Sequence, residues 1–529
     1  MYGLKPVPFN RKPVPFSLKR VHFSLKLLGF NLKSVLFCPK TVLLKHERPS
    51  LIQSAITGQK TAAIVGGGVA GMSAACALAE AGLRVQLVER RGYLGGRASS
   101  YLHPGVNEVI DNCQHVLFGC CTNLVGFYKR IGVTDRIYWT SEMTMIEPGG
   151  RRSRLGPSKL GPLGLPAPLH GLPKLMAAHA FSLADKFALA RAFTVLMRPV
   201  PADSTESLGT WLRRNGQTQG AIERFWRLVI ASALNADIDS IALPYAAKVI
   251  RELFMNSAFA GSMGMSTVPL SELYAGVTPF IEQRGGSVHL NTFIEGARWD
   301  ESRARWTIQT RSGELASDFL VVALPFEATA QLLPHLPAAE GKQELTRQIE
   351  RHEHWPICSV HLWFDREITE LDHAVLLDRE IHWMYNQSRL QTGRGGHYIE
   401  LVVSATRAFA ALPREEAIRQ ALAELAEFFP RVKEAKLEKV ALVKEVRATF
   451  GVPPGIDALR PSAVSPWPNC FLAGDWTATG WPSTMESAAR SGHLAAEALC
   501  MTVGEPRTFS DPDLRPTGLM RLIAVGNSK

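Results

Sequence analysis

The stretch from Thr61 to Glu89 constrains this chain more than any other. Thr61-Ala62-Ala63-Ile64-Val65 is a short apolar run and reads as a buried parallel strand. Gly66-Gly67-Gly68-Val69-Ala70-Gly71 follows at once. Met72 to Ala81 is rich in alanine and reads as a helix, and Leu83 to Val88 reads as a second strand that ends in Glu89. Each part has a mechanical role in holding a dinucleotide. Gly66 allows the tight turn, Gly68 lets the backbone approach a pyrophosphate, and Gly71 lets helix and strand pack closely. Val69 and Ala70 belong to the loop that leads into the helix, whose N–H donors and positive dipole end favour phosphate. Glu89 stands 23 positions after Gly66, suited to accept hydrogen bonds from a ribose, and with Arg90 it completes this part of the site. An acid at this position argues against a 2′-phosphate. A glycine loop alone is weak evidence; strand, loop, helix, strand and acid in order are strong evidence.

The length of 529 residues exceeds one simple core, so two interleaved domains are expected. The net charge of +11 misleads, because residues 1–60 hold eleven Lys/Arg against one acid, Glu47. The remaining 469 residues carry a net charge of only +1, which gives the folded body no nucleic-acid signature. None of the eight cysteines forms a Cys-x-x-Cys pair, so no zinc or dithiol motif is indicated and no metal is expected. In so long a chain they read as reduced thiols of the cytoplasm. No run of about 18 apolar residues reads as a transmembrane helix.

The first sixty residues repeat with a period of seven: Lys at 5, 12, 19, 26, 33 and 40, Phe at 9, 16, 23, 30 and 37. Pro6, Pro8, Pro13 and Pro15 exclude a coiled coil. Three readings stay open: a basic aromatic arm for anionic lipid, a targeting segment, and a tandem DNA repeat translated ahead of the true start. Disorder is expected over 1–58.

Gly95-Gly96-Arg97, just after the acid, resembles the flavin amine oxidase and carotenoid desaturase superfamily. That resemblance implies FAD, with Arg97 near its pyrophosphate. Near the other end of the chain, Asn469 to Asp475 reads as a strand entering a turn, and Gly480 to Ala488 leads into a helix through Leu499. In the superfamily an aspartate at the position of Asp475 contacts the ribityl–phosphate part of FAD. There the following helix N-terminus faces the flavin, where its dipole stabilises negative charge on the reduced ring. The cofactor residues so implied are Gly95, Gly96, Arg97, Gly474, Asp475, Thr484, Met485 and Glu486. No Ser-Gly-Gly-Cys-type linking segment occurs, so FAD is expected to bind noncovalently.

A cofactor site split between the two ends implies an α/β fold in which a Rossmann-like FAD-binding domain (59–140, 276–330 and 461–505) is interleaved with a discontinuous α+β substrate domain (141–275 and 331–460). Residues 506–529 read as a flexible tail. Residues 148–174, dense in Gly and Pro, read as a long mobile loop. Leu175 to Met197 reads as a largely apolar helix, either a core helix or a lid facing a membrane.

Two segments narrow the resemblance: Ile110-Asp111-Asn112-Cys113-Gln114-His115-Val116-Leu117-Phe118-Gly119-Cys120, and Gly474 to Glu486 with Arg490-Ser491-Gly492. Together with Phe225-Trp226, Ala233-Leu234-Asn235 and Val268 to Leu273, they resemble the hydroxysqualene dehydroxylases, squalene-associated FAD-dependent desaturases of bacterial hopanoid pathways. The resemblance covers about 61–500, and it departs at Cys113, where glycine is expected. It implies that hydroxysqualene loses water and takes a hydride from reduced flavin to give squalene. Asp111 and His115 are then the polar candidates for the proton donor, and Trp481 for a π-rich wall beside the cation. It also implies a long isoprenoid substrate, delivery from the preceding synthases of the squalene pathway, and peripheral contact with the inner face of the cytoplasmic membrane. The alternatives are a phytoene-type desaturase, an amine oxidase, and a prenyl-binding protein that does not use flavin catalytically.

Overall fold

The computed structural model describes residues 59–160, 163–391 and 393–526. The heptad repeat lies outside them. A five-stranded, wholly parallel sheet stands at the centre, in the order Ser287–His289, Arg84–Val88, Thr61–Val65, Phe319–Val322, Cys470–Leu472. Ala62 to Val65 are buried, as a parallel strand covered on both faces requires. Strands widely separated in sequence thus lie side by side, which brings the glycine loop next to the Gly474 turn.

The alanine-rich helix Val69–Glu80 packs directly on the helix Met485–Thr502. The small residues make this approach possible: a Cβ added at Gly492 would lie 2.2 Å from the Ala70 carbonyl oxygen. A three-stranded meander, Ile294–Asp300, Arg305–Thr310 and Gly313–Ser317, leads back into the parallel sheet at Phe319.

The second large sheet has seven strands, in the order Leu437–Phe450, His354–Phe364, His397–Ser404, Trp383–Asn386, His373–Leu376, Met143–Ile146, Arg152–Leu155. Its pairs are antiparallel except where His373–Leu376 meets Met143–Ile146. Helices from 183 to 255 lie between the two sheets in sequence and bury a cluster of large aromatics around Trp226, with Trp211, Phe225, Phe193 and Phe254 in ring contact.

Two expectations are corrected. Residues 148–174 are not a featureless loop: Arg152–Leu155 pairs with Met143–Ile146 and extends the large sheet, and the glycines and prolines punctuate the turns around it. Residues 506–526 are not a loose tail. Asp511 is held at its backbone by Asn123, and Asp513 takes hydrogen bonds from Lys248, Trp481 and Arg490. One acidic side chain with partly buried cationic partners and one pair of backbone hydrogen bonds anchor a segment that has no hydrophobic periodicity to announce it. Among the described residues no helix is long and apolar enough to cross a membrane.

Candidate active site

The glycine loop leaves the first strand at Gly66, whose φ of +109° only glycine adopts readily. A Cβ on Gly71 would lie 1.8 Å from the Gly66 carbonyl oxygen, so loop and helix close on each other with no room for a side chain. Gly68 caps the helix that Val69 and Ala70 begin, and it forms a parallel bridge with Gly95. Glu89, at the end of the second strand, is buried; its carboxylate accepts from the backbone N–H groups of Gly67 at 2.7 Å and Arg91 at 2.8 Å. Arg90 is exposed, and the neighbouring Arg91 turns inward instead, donating to the Gly96 carbonyl at 2.8 Å.

The distant half of the site meets this loop through one ion pair. Arg97 Nη2 lies 2.6 Å from Asp475 Oδ1. Ser483 Oγ donates to the other Asp475 oxygen at 2.6 Å. Burial pushes the Asp475 carboxyl up, but Arg97, the Ser483 hydroxyl and Arg460 outweigh it and hold the group below its ordinary value. Gly474 has φ of +152°, so the strand turns sharply into Asp475. Thr484 caps the helix Met485–Thr502, its side chain accepting from Ser487 N–H at 3.2 Å. Glu486 accepts from the backbone N–H groups of Asn123 and Leu124, so its carboxylate caps the helix Thr122–Arg130.

Beside this turn opens an apolar cavity. Trp481, Pro482, Thr484 and Met485 form one wall, and Cys113 and Gln114 another. Trp383 and Tyr385, stacked at 5.5 Å with nearly parallel rings, face it from the large sheet. Lys248 and Glu252 bring charge to it from the helical layer.

The three residues proposed for chemistry take different places. Trp481 lines the cavity, but Lys248 Nζ sits 4.8 Å from its ring centroid and the Arg490 guanidinium 5.5 Å from it. Its π face therefore already has cationic partners. The aromatic wall without such partners is Trp383–Tyr385. Asp111 is buried and fully engaged, accepting from Ser100 Oγ at 2.6 Å, Leu270 N–H at 3.2 Å and Gln391 Nε2 at 2.9 Å. It pins three segments together and is not among the cavity's lining residues. His115 Nδ1 meets the Cys113 carbonyl at 2.6 Å; burial lowers its pKa, and that carbonyl contact opposes the shift. Cys113, where glycine was expected, lines the cavity with a thiol that burial pushes well above its ordinary value, which leaves it inert.

Sequence reasoning missed two buried polar groups and one partly buried one. Arg460, fully buried, donates to the carbonyls of Trp481 at 2.7 Å and Asp475 at 2.9 Å and also to the Tyr245 hydroxyl, fixing the Gly474–Glu486 turn. Glu400 stands behind the cavity wall, accepting from Gln114 N–H at 2.6 Å, Ser359 Oγ at 2.7 Å and Gln387 Nε2 at 2.6 Å. Burial raises its carboxyl to about 7, against the pull of the Ser359 and Gln387 hydrogen bonds. The third is Glu252. A lone acid inside an apolar strand, as in Tyr398-Ile399-Glu400-Leu401, was the available signal for Glu400; nothing comparable marks Arg460.

Set against known proteins, residues 69–500 match the model of the flavin containing amine oxidoreductases. The chain belongs to that family. It therefore binds FAD and is an FAD-dependent oxidoreductase. The glycine cradle that a Cβ would fill, the buried Glu89 and the Arg97–Asp475 pair fit that cofactor. Among curated relatives, the 15-cis-phytoene desaturase of Synechococcus elongatus is 25% identical over 457 residues, covering 83% of this chain and 95% of that protein. The chloroplastic/chromoplastic 15-cis-phytoene desaturase of Solanum lycopersicum is also 25% identical, covering 82% and 77%. An oxidoreductase from Methanosarcina mazei shares the fold at a TM-score of 0.63 and 16% identity, covering 84% of this chain and 100% of that one. Cyclohexylamine oxidase from Brevibacterium oxydans does so at 0.60 and 17%, again covering 84% and 100%.

The Glu400 carboxyl gives a pH signature. Its pKa is raised on folding from an ordinary 4.5 to about 7. The stability it contributes is therefore fully present below about pH 4.5 and is lost as pH rises towards 7. Urea unfolding of the wild type and Glu400→Gln should diverge across that window, the variant gaining on the wild type by on the order of 2–3 kcal/mol. Parallel pH curves would contradict this account of Glu400.

Proposed function

We propose that this flavoenzyme acts on a long isoprenoid hydrocarbon held in the apolar cavity beside the Gly474–Glu486 turn. The carrying observation is the lining itself: mostly aromatic and aliphatic side chains, with a few neutral polar ones (Gln114, Ser232, Ser404 and Thr484) and charge only at Lys248, Glu252 and the helix-capping Glu486. A hydrocarbon chain meets such walls without stranding polar groups. FAD, when bound, supplies hydride transfer. The chain's own residues do the rest. The Gly66–Gly71 backbone and the helix N-terminus receive the pyrophosphate, and Glu89 receives the ribose. Arg97, Asp475 and the helix beginning at Met485 hold the flavin end, while Trp383 and Tyr385 screen the reacting carbon from water.

Two directions of chemistry suit the cavity. The phytoene desaturases among the relatives support desaturation, in which hydride leaves the substrate. The segments Ile110–Cys120 and Gly474–Glu486 support reductive dehydroxylation of hydroxysqualene to squalene, in which hydride enters it. Anaerobic incubation of the FAD-loaded protein decides between them. Prereduced protein with hydroxysqualene gives squalene in the second case; oxidised protein with phytoene gives a product with one more double bond in the first. Turnover of neither compound, with amines oxidised instead, would overturn the isoprenoid reading.

Such substrates come from a bilayer, and the surface offers an approach. On the helix Leu183–Leu196, Leu183 is 66% and Phe187 70% exposed, one turn apart, while Leu189, Ala192 and Leu196 face the core. Leu172 and Met176 are exposed on the preceding helix, which the Lys186 ammonium ties to this one through the Met176 carbonyl. We assign this face to peripheral contact with lipid. Replacing Leu183 and Phe187 together by serine should weaken co-flotation with liposomes about tenfold or more, since losing even half of the roughly 1.5–3 kcal/mol that each apolar side chain is worth when fully transferred removes about 1.5 kcal/mol or more in all. Unchanged flotation would remove the assignment.

A further inference from the structure

We infer that Glu252 is the group that exchanges a proton with the substrate in this cavity. The inference rests on the isoprenoid reading above and adds to it the residue that moves the proton. Its place in the fold is unusual. The helix Leu243–Ile250 continues into a π-helical turn, Arg251–Met255, which offsets the side chains that follow from the regular helical register. Lys248, Val249, Glu252 and Leu253 line the cavity from this segment. Single π turns are costly within α-helices and concentrate at functional positions.

The Glu252 carboxyl also differs from the other acids near the cavity in having an uncommitted oxygen. Its Oε2 is buried and has no hydrogen-bond partner among the described residues. Glu486 is spent on the helix at Thr122–Arg130, and Asp513 on Lys248, Trp481 and Arg490. Asp111 and Glu400 each accept three hydrogen bonds. The groups facing Glu252 are Asp513, Asn256, Lys248 and Arg251. Burial and the Asp513 charge push its carboxyl up; Asn256, Lys248 and Arg251 pull the other way and are outweighed. A carboxyl so held keeps a proton more readily than an exposed glutamate and still releases it to a substrate oxygen.

Both directions of chemistry need such a group, and both balance. In dehydroxylation the carbon–oxygen bond breaks, the hydroxyl leaves as water with the Glu252 proton, and the carbon takes a hydride from reduced flavin. The Glu252 carboxylate remains and is reprotonated from solvent. In desaturation the substrate gives a hydride to oxidised flavin and a proton from the adjacent carbon to the Glu252 carboxylate, leaving a double bond.

The test uses the FAD-loaded full chain as wild type, Glu252→Gln and Glu252→Asp. Its first readout is binding, not turnover. An amine in which –NH3+ replaces the hydroxyl of hydroxysqualene is titrated at pH 8 and followed by the perturbation of flavin absorbance. The amine should bind Glu252→Gln about tenfold or more weakly, because the carboxylate that faces it is gone, and Glu252→Asp within about threefold of wild type. The second readout is product formation from whichever substrate the wild type turns over, expected to fall at least about 100-fold in Glu252→Gln with flavin content and melting temperature unchanged. Equal amine affinity in wild type and Glu252→Gln, or turnover by Glu252→Gln within threefold of wild type, would overturn the role of Glu252. If Glu252→Gln fails to fold, Glu252→Asp alone decides: amine binding lost in that variant would overturn it equally. A wild type that turns over neither isoprenoid sinks the reading of the cavity instead, a result distinct from any difference between variants.

Discussion

The Arg97–Asp475 ion pair is the contact on which the rest of the site depends. It joins two turns 378 residues apart in sequence at 2.6 Å. Arg97 follows the glycine pair that packs on the nucleotide loop, and Asp475 begins the turn that carries Trp481 to Glu486 to the cavity. With these two turns locked together, the glycine loop and the Gly474–Glu486 turn form one continuous surface. The Arg97 side chain is 30% exposed, so breaking the pair costs less than the roughly 3–5 kcal/mol lost when one partner of a fully buried pair is removed. Here Ser483 and Arg460 share the carboxylate's burden, which is why it is held charged despite being almost wholly buried.

Around that pair, polar groups are sorted by whether they are satisfied. Asp111, Glu400 and Glu486 accept several hydrogen bonds each, and Arg460 donates through both Nη atoms while its Nε has no partner among the described residues; together they tie the large sheet, the cavity wall and the helix Met485–Thr502 to the parallel sheet. Buried networks of this kind hold one arrangement only when every member is paired. Among the acids that line the apolar cavity, Glu252 is the one with a buried oxygen, Oε2, that has no partner among the described residues, and leaving such an atom unpaired is expensive.

The nucleotide half of the site was legible in the sequence because it is made by backbone geometry. Gly66 and Gly71 are required by a turn and a close approach that no other residue permits, so their spacing carries the structure with it. The parallel strands at Thr61–Val65 and Arg84–Val88 announced themselves as short apolar runs for the same reason. The cavity half was much less legible. Asp111 looked like chemistry and proved to be a pin between segments, because its three donors come from residues 100, 270 and 391. Glu252, Trp383, Tyr385 and Arg460 meet only through tertiary packing, and no local pattern in Leu253-Phe254-Met255 or Trp383-Met384-Tyr385 says which way they face. The tail failed for a related reason: Asp511 and Asp513 dock through a few polar contacts to residues distant in sequence, which leave no periodic trace.

The central claim is that Arg97 and Asp475 act as one unit that fuses the two ends of the chain into a single FAD site. A double-mutant cycle measures this directly, comparing unfolding free energies of the wild type, Arg97→Leu, Asp475→Asn and the double variant. Coupling of about 1.5 kcal/mol or more, with the double variant much less damaged than the sum of the single ones, is the result expected of a directly paired, partly buried ion pair. Single effects that add to within about 0.5 kcal/mol would contradict the account, and the two halves of the site would then be held together by something other than this pair.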